Sequence, residues 1–398
     1  MDVETTSGFG RSWHDLSSVV QYVAVQVFHG RTSKYEVPES LYDKLVGAFG
    51  RTPLVLHLGD FLQLRPTSAF SLLDDFKKID PRKDVPAEHQ QAAKLFMETP
   101  LCFELVITNR FKDVRLKRLM EFMGHPARKV PKDISDFWQI VQAKHDDPRF
   151  YEERFIFGHR LAIYWETVSP WMMQRARQDA AILQKPLYLL QAADTSTPVM
   201  TRDMAAKLMN AYNPQETGHM HGILALHEGM QVRLLVALDK NRGLVREAEG
   251  VVVQVVPNAL DQPLVDHAVG ALGIKKPDIY LKHLPLGVWV RMDKYCGSPF
   301  QAKLEEIDAR LLPSVTDSLI FVEPMKTTKP FKWRDHVVTR VGWPLTHGCV
   351  RTSTACQGKT LLGGIIVDCG RREGGAHPMD DDDRWLHLYV MLSRATRL

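Results

Sequence analysis

From about residue 230 to 322 the chain abandons helix-and-strand alternation for short strands separated by Gly and Pro turns, and at Gly363–Asp368 it returns to α/β character. A β-rich stretch lodged between two α/β segments implies one domain interrupted by an insert. Gln231–Val236, a turn around Asp239–Gly243, then Gly250–Val256, Val288–Arg291 and Leu319–Val322 read as a small antiparallel barrel. At 398 residues the chain exceeds what a single core organises, so two or three domains are expected. No run approaches the roughly 20 apolar residues that span a bilayer. The start, Met1-Asp2-Val3-Glu4, shows no secretory signal, and a membrane partner is not expected.

The five cysteines (Cys102, Cys296, Cys349, Cys356, Cys369) are scattered and lack metal-ligand spacing, so they read as reduced thiols of an intracellular protein. A net charge of +4 permits nucleic-acid binding without demanding it. The basic residues between Arg110 and Lys132 read as a solvated helix face, and Asp380–Asp383 as a solvated loop before a final helix over Trp385–Arg397. Trp165, Trp171, Trp289 and Trp343 read as core residues, with base stacking the rarer use of such side chains.

Leu54–Leu58 is a short apolar run closed by Gly59-Asp60, with Gln63 beyond it. Such a run suits a strand buried on both faces of a parallel sheet. Ligands of open α/β sheets lie at the carboxyl ends of strands, which places Asp60 and Gln63 where chemistry is expected. Cys102–Thr108 reads as another strand, ending at Asn109-Arg110-Phe111. Leu116, Leu119, Met120 and Met123 have helical spacing up to Gly124, Leu161–Tyr164 reads as a strand, and Pro170–Leu183 as a helix with Pro in its first turn.

Gly358-Lys359-Thr360 invites comparison with a phosphate-binding loop. The first glycine of such a loop would stand at position 353, which is Ser353, and a strand-like Ile365–Asp368 follows where a helix is required. The stretch instead resembles motif V of the Pif-type and RecD-like DNA helicases, through Gln357, Gly358 and Thr360. That family's usual His-Lys is here Thr354-Ala355. Gly59-Asp60-Phe61-Leu62-Gln63-Leu64 resembles motif III, Asn109-Arg110-Phe111 motif IV, and Leu388–Thr396 with Arg394 motif VI. Gly229–Val236 through Gly250-Val251-Val252 and Val341–Leu345 resemble the borders of the family's β insert.

The resemblance implies an α/β, RecA-like P-loop NTPase helicase core with an incomplete first motor domain, a second motor domain and an inserted small β-barrel. It places the first-domain remnant at 1–100, the second domain at 101–245 and 341–398, and the insert at 246–340. It also implies an ATP-dependent DNA helicase moving 5′ to 3′ on single-stranded DNA, in nucleus or mitochondrion. Gln63, Arg110 and Arg394 would carry the catalytic roles, and Asp60, Gln63, Gln357, Gly358 and Arg394 would face ATP. Thr352, Ser353, Lys359 and Thr360 would face the nucleic acid. Yet the sequence contains neither a G-x-x-x-x-G-K-[ST] loop nor any Asp-Glu dipeptide, so the main ligands of ATP and Mg²⁺ are not in it. Three explanations stay open: a missing N-terminal segment, a partner chain that completes the motor, or a decayed copy from a mobile element. A single-stranded nucleic-acid-binding module and a nucleotide-independent scaffold are the competing readings.

Overall fold

The computed structural model describes residues 110–124, 130–144, 147–270, 278–295, 318–370 and 381–396, together with Leu64 and Met379. The chain divides into two compact units, Met1–Arg110 and Phe111–Leu398, and the elements below all belong to the second. The strands expected at Leu54–Leu58 and Cys102–Thr108, with Asp60 and Gln63, lie outside the described residues.

The first helix, α1, is Val114–Gly124. Asp113 starts it by accepting the Arg115 and Leu116 amides at 2.8 and 3.3 Å, an N-terminal cap. Leu116, Leu119, Met120 and Met123 form its buried stripe. Helix α2 is Lys132–Val141, the short α3 is Glu153–Ile156, and β1 is His159–Ala162. Helix α4 runs from Trp165 to Ile182, so Pro170 lies inside it and not in its first turn as expected. Pro170 cannot donate to Glu166, but buried Val168, Ala176 and Ala180 hold the helix to the sheet and outweigh the one lost bond.

Strands β2 (Leu187–Gln191) and β3 (Ala193–Thr197) precede α5 (Arg202–Met209) and β4 (Ile223–Leu226). Then come β5 (Gln231–Leu234), β6 (Glu249–Val256), α6 (Gln262–Gly270), β7 (Asp278–Leu281) and β8 (Gly287–Met292). Strands β9 (Leu319–Val322), β10 (Met325–Lys326), β11 (Phe331–Trp333), β12 (His336–Gly342), β13 (Leu345–His347) and β14 (Val350–Thr352) follow. The last described elements are α7 (Ser353–Cys356), β15 (Ile365–Asp368) and α8 (Asp381–Leu392).

The architecture is mixed α/β with several sheets. A three-stranded parallel sheet has the order β14-β1-β15. Helix α4 packs over Ala162 and Val350 on one side. Residues of α1, α2 and α8 share a second core with Ile365 and Val367 of β15. This is the two-sided cover a parallel sheet needs. Gly364 enters β15 against the Arg154 backbone, and a β-carbon there would collide with the Arg154 carbonyl. A mixed sheet, β4-β2-β7, shares the largest core with the antiparallel sheet β13-β5-β6-β8-β9. β12 carries β3 along one edge, with β10 and β11 along the other.

Among the described residues, the strand path of the β-rich region does not close into the expected barrel. β5 and β13 extend the five-stranded sheet beyond 246–340, and a register shift between Val252 and Gln254 marks β6. Helix α8 begins at Asp381, so Asp381–Asp383 form its first turn and not a solvated loop. Carboxylates suit that end because helix dipoles leave it partly positive. The helix ends at Leu392, which leaves Arg394 in the turn beyond.

Candidate nucleic-acid interface

The carboxyl ends of the three parallel strands coincide at Ala162, Thr352 and Asp368, which are register partners. The Thr352–Thr360 loop leaves this edge. Thr352 caps α7, its Oγ1 accepting the Ala355 amide at 3.3 Å. Ser353 is fully buried, and its hydroxyl lies 2.6 Å from His387 Nδ1 on α8. Burial holds the His387 imidazole below its ordinary pKa, against the opposing pull of Asp383. Both hydroxyls are thus engaged in holding the loop together.

Gln357 is half-buried, and Gly358 and Thr360 are exposed. Gly358 has φ +75, with nothing within 4 Å of a built β-carbon. Backbone conformation, and not lack of room, makes glycine the suitable residue there. The chain then turns back, Lys359 donating its amide to Cys356 O at 3.1 Å.

Arg394 meets this loop directly. Leu361 N donates to Arg394 O at 3.0 Å, and Arg394 Nη1 donates to Lys359 O at 3.3 Å. Arg394 Nε also donates to Val390 O at 2.9 Å, and Nη2 to Ser393 Oγ at 2.6 Å. The Arg394 guanidinium is buried, at 4% exposure. Residues 352–360 and 394 therefore converge on one edge although more than thirty positions separate their ends. Arg110 is half-buried and closes the first unit.

Three residues of the site were not legible in the sequence. Glu249, at the start of β6, contacts both Arg351 Nη2 and Lys359 Nζ at 3.0 Å. Burial works to raise the Glu249 carboxyl, but Arg351 and Lys359 outweigh it and hold the group below its ordinary range. His387 ties α8 to the loop. Nothing in the local sequence pairs Arg351 with a residue about a hundred positions earlier. Burial beside Arg351 also pushes the His159 imidazole down to about 4. Burial lifts the Cys356 thiol to about 11, which makes it an inert core group.

No protein-family model matches the sequence, and no curated protein does. Among solved structures, the chain is similar to the Pif1 helicase from Candida albicans at 18% identity, with TM-score 0.43, covering 85% of this chain and 61% of that one. It is similar to Bacteroides Pif1 bound to ssDNA at 13% identity, with TM-score 0.46 and coverages of 89% and 63%. A Bacteroides Pif1 helicase in complex with ADP-AlF3 and ssDNA gives 14% identity, TM-score 0.45 and coverages of 90% and 66%. The chain spans about three fifths of the length of these helicases.

Proposed function

We propose that this chain is the C-terminal portion of a Pif-type DNA helicase and that the Thr352–Thr360 loop contacts single-stranded DNA. The convergence of the Gln357-Gly358-x-Thr360 loop with Arg394, joined through Lys359 O and Leu361 N, carries the reading. Exposed Thr360 at the carboxyl edge of a parallel sheet can reach a strand's phosphates, whereas Thr352 and Ser353 shape the loop from within. Asp60, Gln63, Gln357, Gly358 and Arg394 are assigned to ATP, and Gln63, Arg110 and Arg394 to the catalytic roles. Domain limits at 100, 245 and 340, a RecA-like core, 5′-to-3′ movement, roles in repair or recombination, and a nuclear or mitochondrial place belong to the same proposal.

Nucleotide hydrolysis calls for a phosphate-cradling loop and an acidic Mg²⁺ ligand, and this sequence contains neither a G-x-x-x-x-G-K-[ST] loop nor an Asp-Glu dipeptide. The residues present do not fit ATP and Mg²⁺ as a complete site, so the chain's own contribution is to bind the strand and to position Arg394. A second reading follows from that gap: a single-stranded nucleic-acid-binding remnant without ATPase activity.

Both readings require strand binding by the 398-residue chain. Fluorescence anisotropy with a labelled oligothymidylate should show binding that weakens steeply with salt, as counterion release dictates. Absence of binding at low salt refutes both. Equilibrium dialysis with an ATP analogue separates them: nucleotide uptake favours the motor portion, and none favours the binding remnant.

A further inference from the structure

The loop is flanked by a charge cluster whose hydrogen-bonding capacity is unmet. Arg351 is 1% exposed, and of its guanidinium only Nη2 has a partner, the Glu249 carboxylate. Its Nε and Nη1 are buried and meet no acceptor. The Glu249 oxygen that serves Arg351 also serves Lys359, whose Nζ lies 3.3 Å from Glu247 O as well. Deeper in, Arg233 pairs with Glu247 through Nη1 while its Nη2 meets no acceptor. Arg246 adds a further positive group 4.0 Å from Glu247. Four cations thus stand against two carboxylates. Lys359 and Glu249 are each 35% exposed, which opens this recess to solvent.

One carboxylate oxygen shared by two cations, beside two empty buried N–H groups, asks for a ligand with more acceptors. A phosphate group presents several oxygens and suits an arginine fork with an adjacent lysine. We propose that Arg351 and Lys359 form a phosphate-binding site in which Glu249 is a built-in stand-in for the phosphate, displaced when one binds. The phosphate comes from a strand backbone if the helicase reading above is right, and on that source alone this proposal rests on that reading. The site's chemistry is the same for a free polyphosphate.

The test uses the full chain as wild type, E249Q, K359A and E249Q/K359A, with labelled oligothymidylate and sodium tripolyphosphate as probes. E249Q should bind the oligonucleotide about 3- to 10-fold more tightly at low salt, with a log–log salt slope steeper by about 1. Adding K359A should cancel that gain. D335N, which removes an equal charge from an exposed turn elsewhere, should give a clearly smaller effect. Equal affinities and slopes for wild type and E249Q, or equal gains for E249Q and D335N, overturn the proposal. If E249Q melts without cooperativity, K359A decides: it should weaken tripolyphosphate binding several-fold, and unchanged binding refutes the site. If no variant binds oligothymidylate while tripolyphosphate raises the melting temperature of E249Q but not of E249Q/K359A, the phosphate site stands and the strand-binding reading fails.

Discussion

Two buried arginines in this unit are served very differently. Arg340 on β12 is fully buried, and its Nε and Nη2 each meet an Asp194 oxygen at 2.7 Å. Its Nη1 donates to Met220 O at 3.0 Å, so the guanidinium is satisfied across strands β3 and β12. Arg351 on β14 is buried as deeply but holds a single shared carboxylate, with two N–H groups empty. The first arrangement is a cross-strand clamp that stabilises a sheet. The second sits beside the candidate interface, where buried donors without acceptors are costly.

Substitution can break that contrast. Arg340→Met leaves Asp194 largely buried without its cation and should cost about 3–5 kcal/mol, read by denaturant unfolding. A loss below about 1 kcal/mol would show that the clamp is as loosely held as Arg351.

Lowering the pH sharpens the contrast from the Arg351 side. His159 is held at about 4 and His221 at about 3, in both cases chiefly by burial, so each is neutral in the fold. Between pH 6.5 and 4 the unfolded chain takes up protons that the folded chain refuses, and stability therefore falls as pH falls through that window. His159 alone should contribute on the order of 3 kcal/mol to this loss. In His159→Gln the slope over that window should flatten; an unchanged slope would separate His159 from the Arg351 field.

Ser353→Ala should cost about 1–2 kcal/mol by leaving His387 Nδ1 without its partner. It should also loosen the Thr352–Thr360 loop, measured as faster amide exchange at Gly358, and unchanged exchange would mean the loop does not depend on α8.

The smallest stability effect should come from Arg351→Met. An apolar residue of similar length removes the empty donors, so stability should stay within about 1 kcal/mol of wild type. Oligothymidylate affinity should nonetheless fall several-fold. A destabilisation matching that of Arg340→Met would make the two arginines equivalent.

Much of the local structure was legible in order and spacing. The α1 stripe from Leu116 to Met123, its stop at Gly124, and the strands at 250–256, 288–291, 319–322 and 365–368 fall close to where periodicity places them. Buried Trp289 and Trp343 behave as core residues. Strands β2, β4 and β12 were not marked. β2 is buried along nearly its whole length in a mixed sheet and lacks the alternation that identifies a strand, while β12 owes its pairing to β3, some 140 positions earlier. The start of α8 is not legible because four consecutive aspartates, Asp380–Asp383, read as solvent-exposed loop, although a helix N-terminus favours carboxylates.

The sequence by itself determined that the Gln-Gly-x-Thr element is not a phosphate-cradling turn, and that no G-x-x-x-x-G-K-[ST] loop and no Asp-Glu dipeptide occur along it. It did so because those requirements are fixed spacings along one backbone. Only the tertiary structure decided that Arg394 folds onto Lys359 O, that Ser353 is tied to His387, and that Glu249 comes to lie on Arg351 and Lys359. Those partners are set by which strands pair and which cores close, and burial then fixes the pairings because desolvated charges must find whatever counter-charge the fold brings near.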